Sequence, residues 1–321
     1  MSSRSRIAVA VVALLVVAGL PLAPSVGDSS RWMTIAILTF TVAALASSWN
    51  ILGGLAGQIS LGHAAFFGMG ALITRTTWLG GWPLPLSLLT AVVVTIAGAT
   101  VIGFPMLRLR GIYFSIGTLA AAEALRITVA NIRPGISALP AEELATYTYA
   151  PRYYLSLGVV VLAVGVAMWL RRSKLGLGMM AQRDDEQAAG ATGVDVFRHK
   201  LAAFVLSAGV AALSGGAFGY FFISYYPEYP FSVLWSFDAI LVTFIGGFGT
   251  IVGPLIGSVF YVFVRDTMSG YLGDFQVAGF GILFILVVIL LPGGIVEAGR
   301  RLAGATTRRS DDSDTERKVS K

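Results

Sequence analysis

The chain has 321 residues, of which 56% are hydrophobic and 12% charged, with a net charge of +6 and no cysteine. A mean hydropathy of +0.78 and a charged fraction well under the roughly 25% usual for soluble domains exclude a freestanding soluble protein. Lack of cysteine removes disulfides, thiolate metal sites and Cys nucleophiles, and the basic residues sit in short loops and termini, as membrane topology places them, not in a nucleic-acid-binding patch.

At the N-terminus Arg4 and Arg6 precede an apolar run, Ile7 to Leu20, followed by Pro21. A cleaved signal peptide would look like this. A retained first membrane helix is preferred because more spans follow. Further apolar runs approach the roughly 20 residues a bilayer core requires. They predict spans at Trp32–Leu52, Ile59–Leu79, Leu84–Phe104, Ile112–Asn131, Tyr153–Leu170, Leu201–Phe222, Phe237–Val264 and Val277–Leu291. Helices are expected, since an open sheet cannot satisfy its backbone in lipid and the period-2 alternation of a barrel is missing. The predicted fold is therefore an all-α polytopic bundle of about eight to ten membrane helices. One transmembrane domain should cover residues 1–302, and the polar tail 303–321 should be a disordered cytoplasmic segment. Abundant alanine and arginine fit a bacterial source, hence a bacterial inner membrane.

Lysine and arginine set the orientation. Arg4 and Arg6 place the N-terminus in the cytoplasm, Arg108 and Arg110 mark a short cytoplasmic loop, and Arg171, Arg172, Lys174, Arg183, Arg198 and Lys200 mark a longer one. The segment Ile223 to Trp235 has no basic residue and reads as external. Simple alternation of these nine spans would leave the basic tail outside. The stretch Phe237 to Val264 repairs the parity if Gly246, Gly247, Gly249, Gly253 and Pro254 break it into two arms, so that both termini are cytoplasmic. A second glycine-rich interruption, Gly53, Gly54 and Gly57 followed by Gln58, Ser60 and His63, lies between the second and third spans. Paired interruptions are a pointer to a transport pathway; on spacing alone, tight helix packing through small residues explains them equally.

The longest charged interruption is KLGLGMMAQRDDEQAAGATGVDVFRHK. Met179 to Ala189 predicts one short helix ended near Gly190 and Gly193, with Arg183, Asp184, Asp185 and Glu186 on a polar face. Such a helix suits docking into a partner's groove, although a solvated connector would look similar. Glu186-Gln187-Ala188-Ala189 with Gly193 three residues after Gly190 resembles the EAA-type coupling loop of ABC importer permeases, whose helix docks on an ATPase subunit. Gln187 stands where the commoner form has Glu, a departure seen in the branched-chain amino-acid branch. SLGHAAFFGMGA (Ser60–Ala71), LRLRGIYFSIGTLAAAEAL (Leu107–Leu125), KLAAFVLSA (Lys200–Ala208) and IGGFGTIVGPLIGS (Ile245–Ser258) are similar to the membrane subunits of those importers, of the longer, M-type kind. The resemblance runs from about Trp32 to Leu302, with the motifs in family order. It departs at NIRPGIS (Asn131–Ser137), where many relatives carry a Gly- and Asn-rich external segment.

That resemblance implies a permease for branched-chain or related amino acids, working with a homologous second permease, two ABC ATPase subunits, an external solute-binding protein and the lipid bilayer. Urea or short-chain amides are the alternative substrates. It assigns Arg183, Glu186, Ala188, Ala189, Gly193 and Lys200 to the ATPase-coupling loop. Gly57, Gln58, Ser60, His63, Thr118, Glu123, Gly246, Gly247 and Gly249 are the candidate pathway residues. Ser60, His63 and Phe67 recur at helical spacing. His63 either faces a solute or bonds a neighbouring carbonyl. Glu123 is an intramembrane acid with Arg126 three residues on, close enough to pair. Thr118 and Ser115 are expected to bond a neighbouring helix. The chain has no P-loop motif, no histidine cluster for a metal and no nucleophile elbow. No cofactor and no catalysis by this chain are therefore expected. An ion-coupled transporter would need buried coupling carboxylates; only Glu123 qualifies, since Asp238 reads as lying near a span end.

Overall fold

The computed structural model describes residues 30–272 continuously and, beyond them, residues 279, 281–282, 285, 289 and 293–298. The predicted span Ile7–Leu20 and the tail 303–321 lie outside the described residues, as does most of Val277–Leu291. The chain is helical nearly throughout. In order come α1 (Ser30–Asn50), a π-helical turn (Ile51–Leu55), α2 (His63–Leu79), α3 (Leu84–Met106), α4 (Ile112–Ile132), β1 (Ser137–Ala138), α5 (Ala141–Ala145) and α6 (Tyr149–Arg172). Then follow α7 (Lys174–Asp184), α8 (Glu186–Ala191), α9 (Val196–Phe221), β2 (Ser224–Tyr225), a 3-10 turn (Tyr229–Phe231), α10 (Val233–Gly246) and α11 (Gly253–Leu272). Among the described residues five helical stretches are long and apolar enough to cross a membrane: Arg31–Leu55, α3, α4, α6 and α9.

Burial separates core from rim. In the most apolar stretches of α1 and α9, 72% of residues are buried, against 28% in α3 and 22% in α4. Glycine brings α2 and α9 into contact at backbone distance. A Cβ on Gly70 would stand 2.0 Å from the Ala212 carbonyl oxygen, and one on Gly215 would stand 1.9 Å from that of Phe67. Any larger residue would force the helices apart, which is the small-residue packing membrane bundles use. Toward one end Phe67, Phe218 and Trp235 fill the core with ring centroids 4.8–5.3 Å apart.

The loops sort to two ends. At the loop end, α7 and α8 lie beside the close of α1, and Phe104 of α3 meets Phe197 of α9 at 5.4 Å. At the opposite, sheet end, β1 and β2 pair antiparallel, Ser137 with Tyr225 and Ala138 with Ser224. The segment read as external is therefore stitched to the α4–α6 connection. The long stretch Phe237–Val264 is broken as its glycines predict, into α10 and α11 joined by residues 247–252. The arms run antiparallel: Gly246 faces Gly253, Gly257 faces Val242, and Tyr261 Oη donates to Asp238 Oδ1 at 2.6 Å.

Three expectations are corrected. The span predicted from Ile59 starts as a helix only at His63, because Trp49, Ser115 and Thr118 bond the backbone of residues 59–61 from outside. Asp238 is inside α10, not at a span end, and Arg265 lies 3.5 Å from its Oδ2. The loop helix predicted as one piece is two, because Asp185 is extended (φ −156°, ψ 113°).

Candidate coupling loop and membrane pathway

The candidate coupling loop is built from local capping. Ser173 Oγ accepts from the Gly176 N–H at 3.1 Å and starts α7. Asp185 Oδ1 accepts from the Gln187 and Ala188 N–H groups at 2.8 and 3.0 Å, starting α8; an acidic N-cap is among the strongest. Gly193, at φ +89°, ends α8 in a Schellman arrangement. Its N–H donates to Gly190 O and the Val194 N–H donates to Ala189 O, both at 3.1 Å. The spacing from Gly190 to Gly193 is thus a stop signal. Ala189 is buried, whereas Gln187, Ala188 and Ala191 are exposed, leaving a small-residue face outward. Lys200 Nζ, 5% exposed, donates to Glu186 Oε2 at 2.7 Å, so α8 is tied to the first turns of α9.

Both glycine breaks meet this loop. Arg183 Nη1 donates to Gly54 O at 2.9 Å. Gly57 has φ +71°, and a Cβ there would stand 2.8 Å from Arg183 Cγ. Asn50, the last residue of α1, accepts the Gly249 N–H on Oδ1 at 2.9 Å and donates from Nδ2 to Thr250 O at 2.8 Å. Gly247 (φ +134°) and Gly249 (φ +70°) allow the reversal that brings this tip to Asn50. Gly246 itself is the last residue of α10, packed on Gly253. Gly57, Gly249 and Arg183 thereby come together with Asn50, which the sequence reading did not single out. The signal for it was a lone amide ending an apolar helix just before Gly53-Gly54.

Beyond the joint, residues 56–62 are irregular and held largely from outside. Trp49 Nε1 donates to Ser60 O at 2.8 Å, Ser115 Oγ to Ile59 O at 2.5 Å, and the Leu61 N–H to Thr118 Oγ1 at 3.2 Å. Ser115 and Thr118 therefore bond this unwound segment and not a neighbouring helix. Gln58 donates its N–H to Leu52 O at 3.1 Å. Ser60 precedes the helix, so it does not share a helical face with His63 and Phe67. His63 is fully buried at the start of α2, ring to ring with Phe66 at 5.9 Å, and neither ring nitrogen has a partner among the described residues. The next N–H, of Ala64, donates to Ser236 Oγ at 2.8 Å. Glu123 stands apart on α4, half-exposed, with both carboxylate oxygens on Arg126 Nε at 3.0 and 2.9 Å.

Set beside known proteins, the chain matches the profile of the branched-chain amino acid transport system permease component over residues 32–291. It belongs to that permease family. The high-affinity branched-chain amino acid transport system permease protein LivM of Escherichia coli is 31% identical over 305 residues, spanning 83% of this chain and 70% of the relative. The same protein of Salmonella typhimurium is 30% identical with the same coverage. A probable LivM of Methanocaldococcus jannaschii is 21% identical over 81% of this chain and 87% of the relative. No solved structure matches. The permease is thus a multi-pass helical membrane protein, and the α7–α8 loop and the glycine breaks all fall within the matched region.

Proposed function

We propose that the chain is the membrane subunit of an ATP-driven importer for leucine, isoleucine and valine or related amino acids, with ATP hydrolysed on partner subunits. The observation that carries this reading is α8: a six-residue helix capped at both ends, with its small residues outward, anchored by Glu186 to Lys200 on the most central helix. A helix so exposed fits a partner's groove, and its ion pair gives a push on it a route into the bundle. The partners are a homologous second permease, two ABC ATPases docking on the loop end and a solute-binding protein docking on the sheet end. The membrane is a bacterial inner membrane on this reading, and the lysines and arginines of the α7–α9 loop support a loop end that faces the cytoplasm.

The pathway reading assigns solute passage to the region of Gly57, Gln58, Ser60, His63 and Thr118, with Gly246, Gly247 and Gly249 letting the hairpin tip move. Glu123, paired with Arg126 on the open flank of α4, joins that route only where a partner subunit closes over this flank, since a half-exposed ion pair mid-helix favours water or protein over lipid. An ion-coupled mechanism is less well supported, because both Glu123 and Asp238 are paired with arginines. Substrate choice between branched-chain amino acids and urea or short-chain amides belongs to the binding protein. ATP turnover should tell them apart when the reconstituted complex is given binding protein loaded with leucine, with urea or with nothing. Hydrolysis indifferent to ligand, or failure to assemble, would count against the importer. The paired change Glu186→Lys with Gly193→Pro should abolish ATPase binding; if binding and transport survive, the loop is a connector only.

A further inference from the structure

We propose that Asn50 and Arg183 form one switchable joint, in which Asn50 locks the two glycine breaks together and Arg183 is the handle by which the α7–α8 loop moves them. The inference rests on the importer reading for its purpose and on side-chain geometry for its existence. One buried amide, 4% exposed, joins segments 200 residues apart by using its acceptor and its donor on two successive residues, Gly249 and Thr250. Ring packing adds to this hold, with Phe248 centred 6.1 Å from Trp49 and 5.2 Å from Phe244. Thr250 braces it from within, its hydroxyl donating to Gly247 O at 2.8 Å and accepting the Gly253 N–H at 3.0 Å.

Immediately after Asn50 the chain makes its π-helical turn, Ile51–Leu55. Such turns insert an extra residue per hydrogen-bonded ring and are frequent at functional sites. Gly54 within it is so close to the hairpin that a Cβ would stand 2.0 Å from Asn50 Oδ1 and 3.0 Å from Gly249 Cα. Arg183 reaches the same point from the loop. Nη1 bonds Gly54 O, while Nε and Nη2 hold Asp184 Oδ1 at 3.1 and 2.9 Å on the exposed side. One side chain therefore bonds the loop surface and the π turn and lies next to the tip, where a Cβ on Gly249 would stand 3.3 Å from Nη1. A ligand can shift a conformational equilibrium only through contacts that differ between its states. A partner binding the α7–α8 loop has this arginine as its direct contact with both breaks.

The absence of native cysteine allows two spin labels without background, at Gln187→Cys on α8 and at Val252→Cys, which is 51% exposed beside the tip. The full chain, assembled with its partners in lipid nanodiscs, is read for the label-to-label distance with and without ATP, and in vesicles for solute imported per ATP. Asn50→Ala and Arg183→Gln should each broaden the distance distribution and lower solute per ATP by about tenfold, the effect of losing one or two hydrogen bonds. Because they break one joint, the double variant should be no worse than either single. Asn50→Asp and Arg183→Lys, which keep size, serve where the first variants fail to fold. The Asp places a carboxylate oxygen against the Thr250 carbonyl and should still open the tip. Unchanged distances and unchanged stoichiometry in the single variants would overturn the joint, as would losses that multiply in the double variant. If the labels respond but the unmutated complex shows no ATP-dependent uptake, the importer reading fails and the joint stands.

Discussion

The two ends of the bundle are held by opposite kinds of polar contact. At the sheet end, Arg75 is 2% exposed and donates to four carbonyls: Gly219 and Phe222 from Nη1, Ser137 and Ile223 from Nη2, at 2.9–3.3 Å. Arg152, 3% exposed, bonds Tyr220 O and Thr148 O and lies 3.8 Å over the Tyr147 ring. Neither has a carboxylate partner among the described residues. A planar guanidinium spread over several carbonyls fixes the ends of α2, α9 and the two strands as one piece. At the loop end the ties are fewer: one ion pair for α8, one hydrogen bond from Arg183 to Gly54, and two hydrogen bonds from the Asn50 amide for the hairpin tip. Four bonds on one buried guanidinium must break together, whereas one or two open more readily. The sheet end is therefore the fixed frame and the loop end the part that can move.

The sharpest way to break this contrast is at Arg75. Arg75→Met should destabilise the bundle by at least about 3 kcal/mol, because several buried carbonyls lose a charged donor. Arg75→Lys should recover less than half of that, since an ammonium cannot span the same fork. Thermal unfolding of the purified chain in detergent measures both. Near-normal stability of Arg75→Met would mean the sheet end is not a frame.

These arginines also show where the sequence was legible and where it was not. The apolar runs gave the long helices, because lipid demands the same pattern wherever a helix crosses, and the glycines of 246–253 gave the hairpin break. Arg75 and Arg152 were invisible as structural groups, since their carbonyl partners lie up to 148 residues away. The early start assigned to α2 has the same origin: Ser115, Thr118 and Trp49 hold residues 59–61 from outside, and no local pattern records that. Asp185 was readable in principle. Its position before Glu186 and Gln187 is a capping signal, but four charged residues in a row looked like one helix face. Of the candidate site, Glu186, Gly193 and Lys200 were proposed from the loop's resemblance, and the structure pairs Glu186 with Lys200, while Asn50 was passed over because its partners follow 200 residues later.

At the loop end the largest local effect is expected at Glu186. Glu186→Gln leaves Lys200 with an unpaired buried charge, a loss of roughly 2–3 kcal/mol. The loss should stay local, speeding amide exchange in residues 186–194 by about 30–150-fold while the midpoint of global unfolding moves little. Exchanging the charges, Glu186→Lys with Lys200→Glu, should restore part of the protection. Next comes Asp185→Ala, which removes the cap from two N–H groups and should cost about 1 kcal/mol, read as faster exchange at Gln187 and Ala188. Were either change to lower global stability as much as Arg75→Met does, the loop would be part of the frame and the contrast would fail.

The smallest expected effect sharpens the contrast from the other direction. Gln182 lies in α7, one residue before the Arg183 handle, 5% exposed, and neither amide atom has a protein partner among the described residues. A buried amide without partners is a standing cost of about 1–3 kcal/mol, carried by the segment the comparison assigns to motion. Gln182→Met is close in volume and removes the polar atoms, so it should stabilise α7 by about 1 kcal/mol and slow amide exchange across residues 176–184. A helix made too stable where it sits should also resist displacement. ATP-driven uptake by the assembled complex should then fall while ATPase binding is kept. If the Met variant instead loosens α7, the amide is bonded in solution and the loop end is more firmly held than its few ties imply.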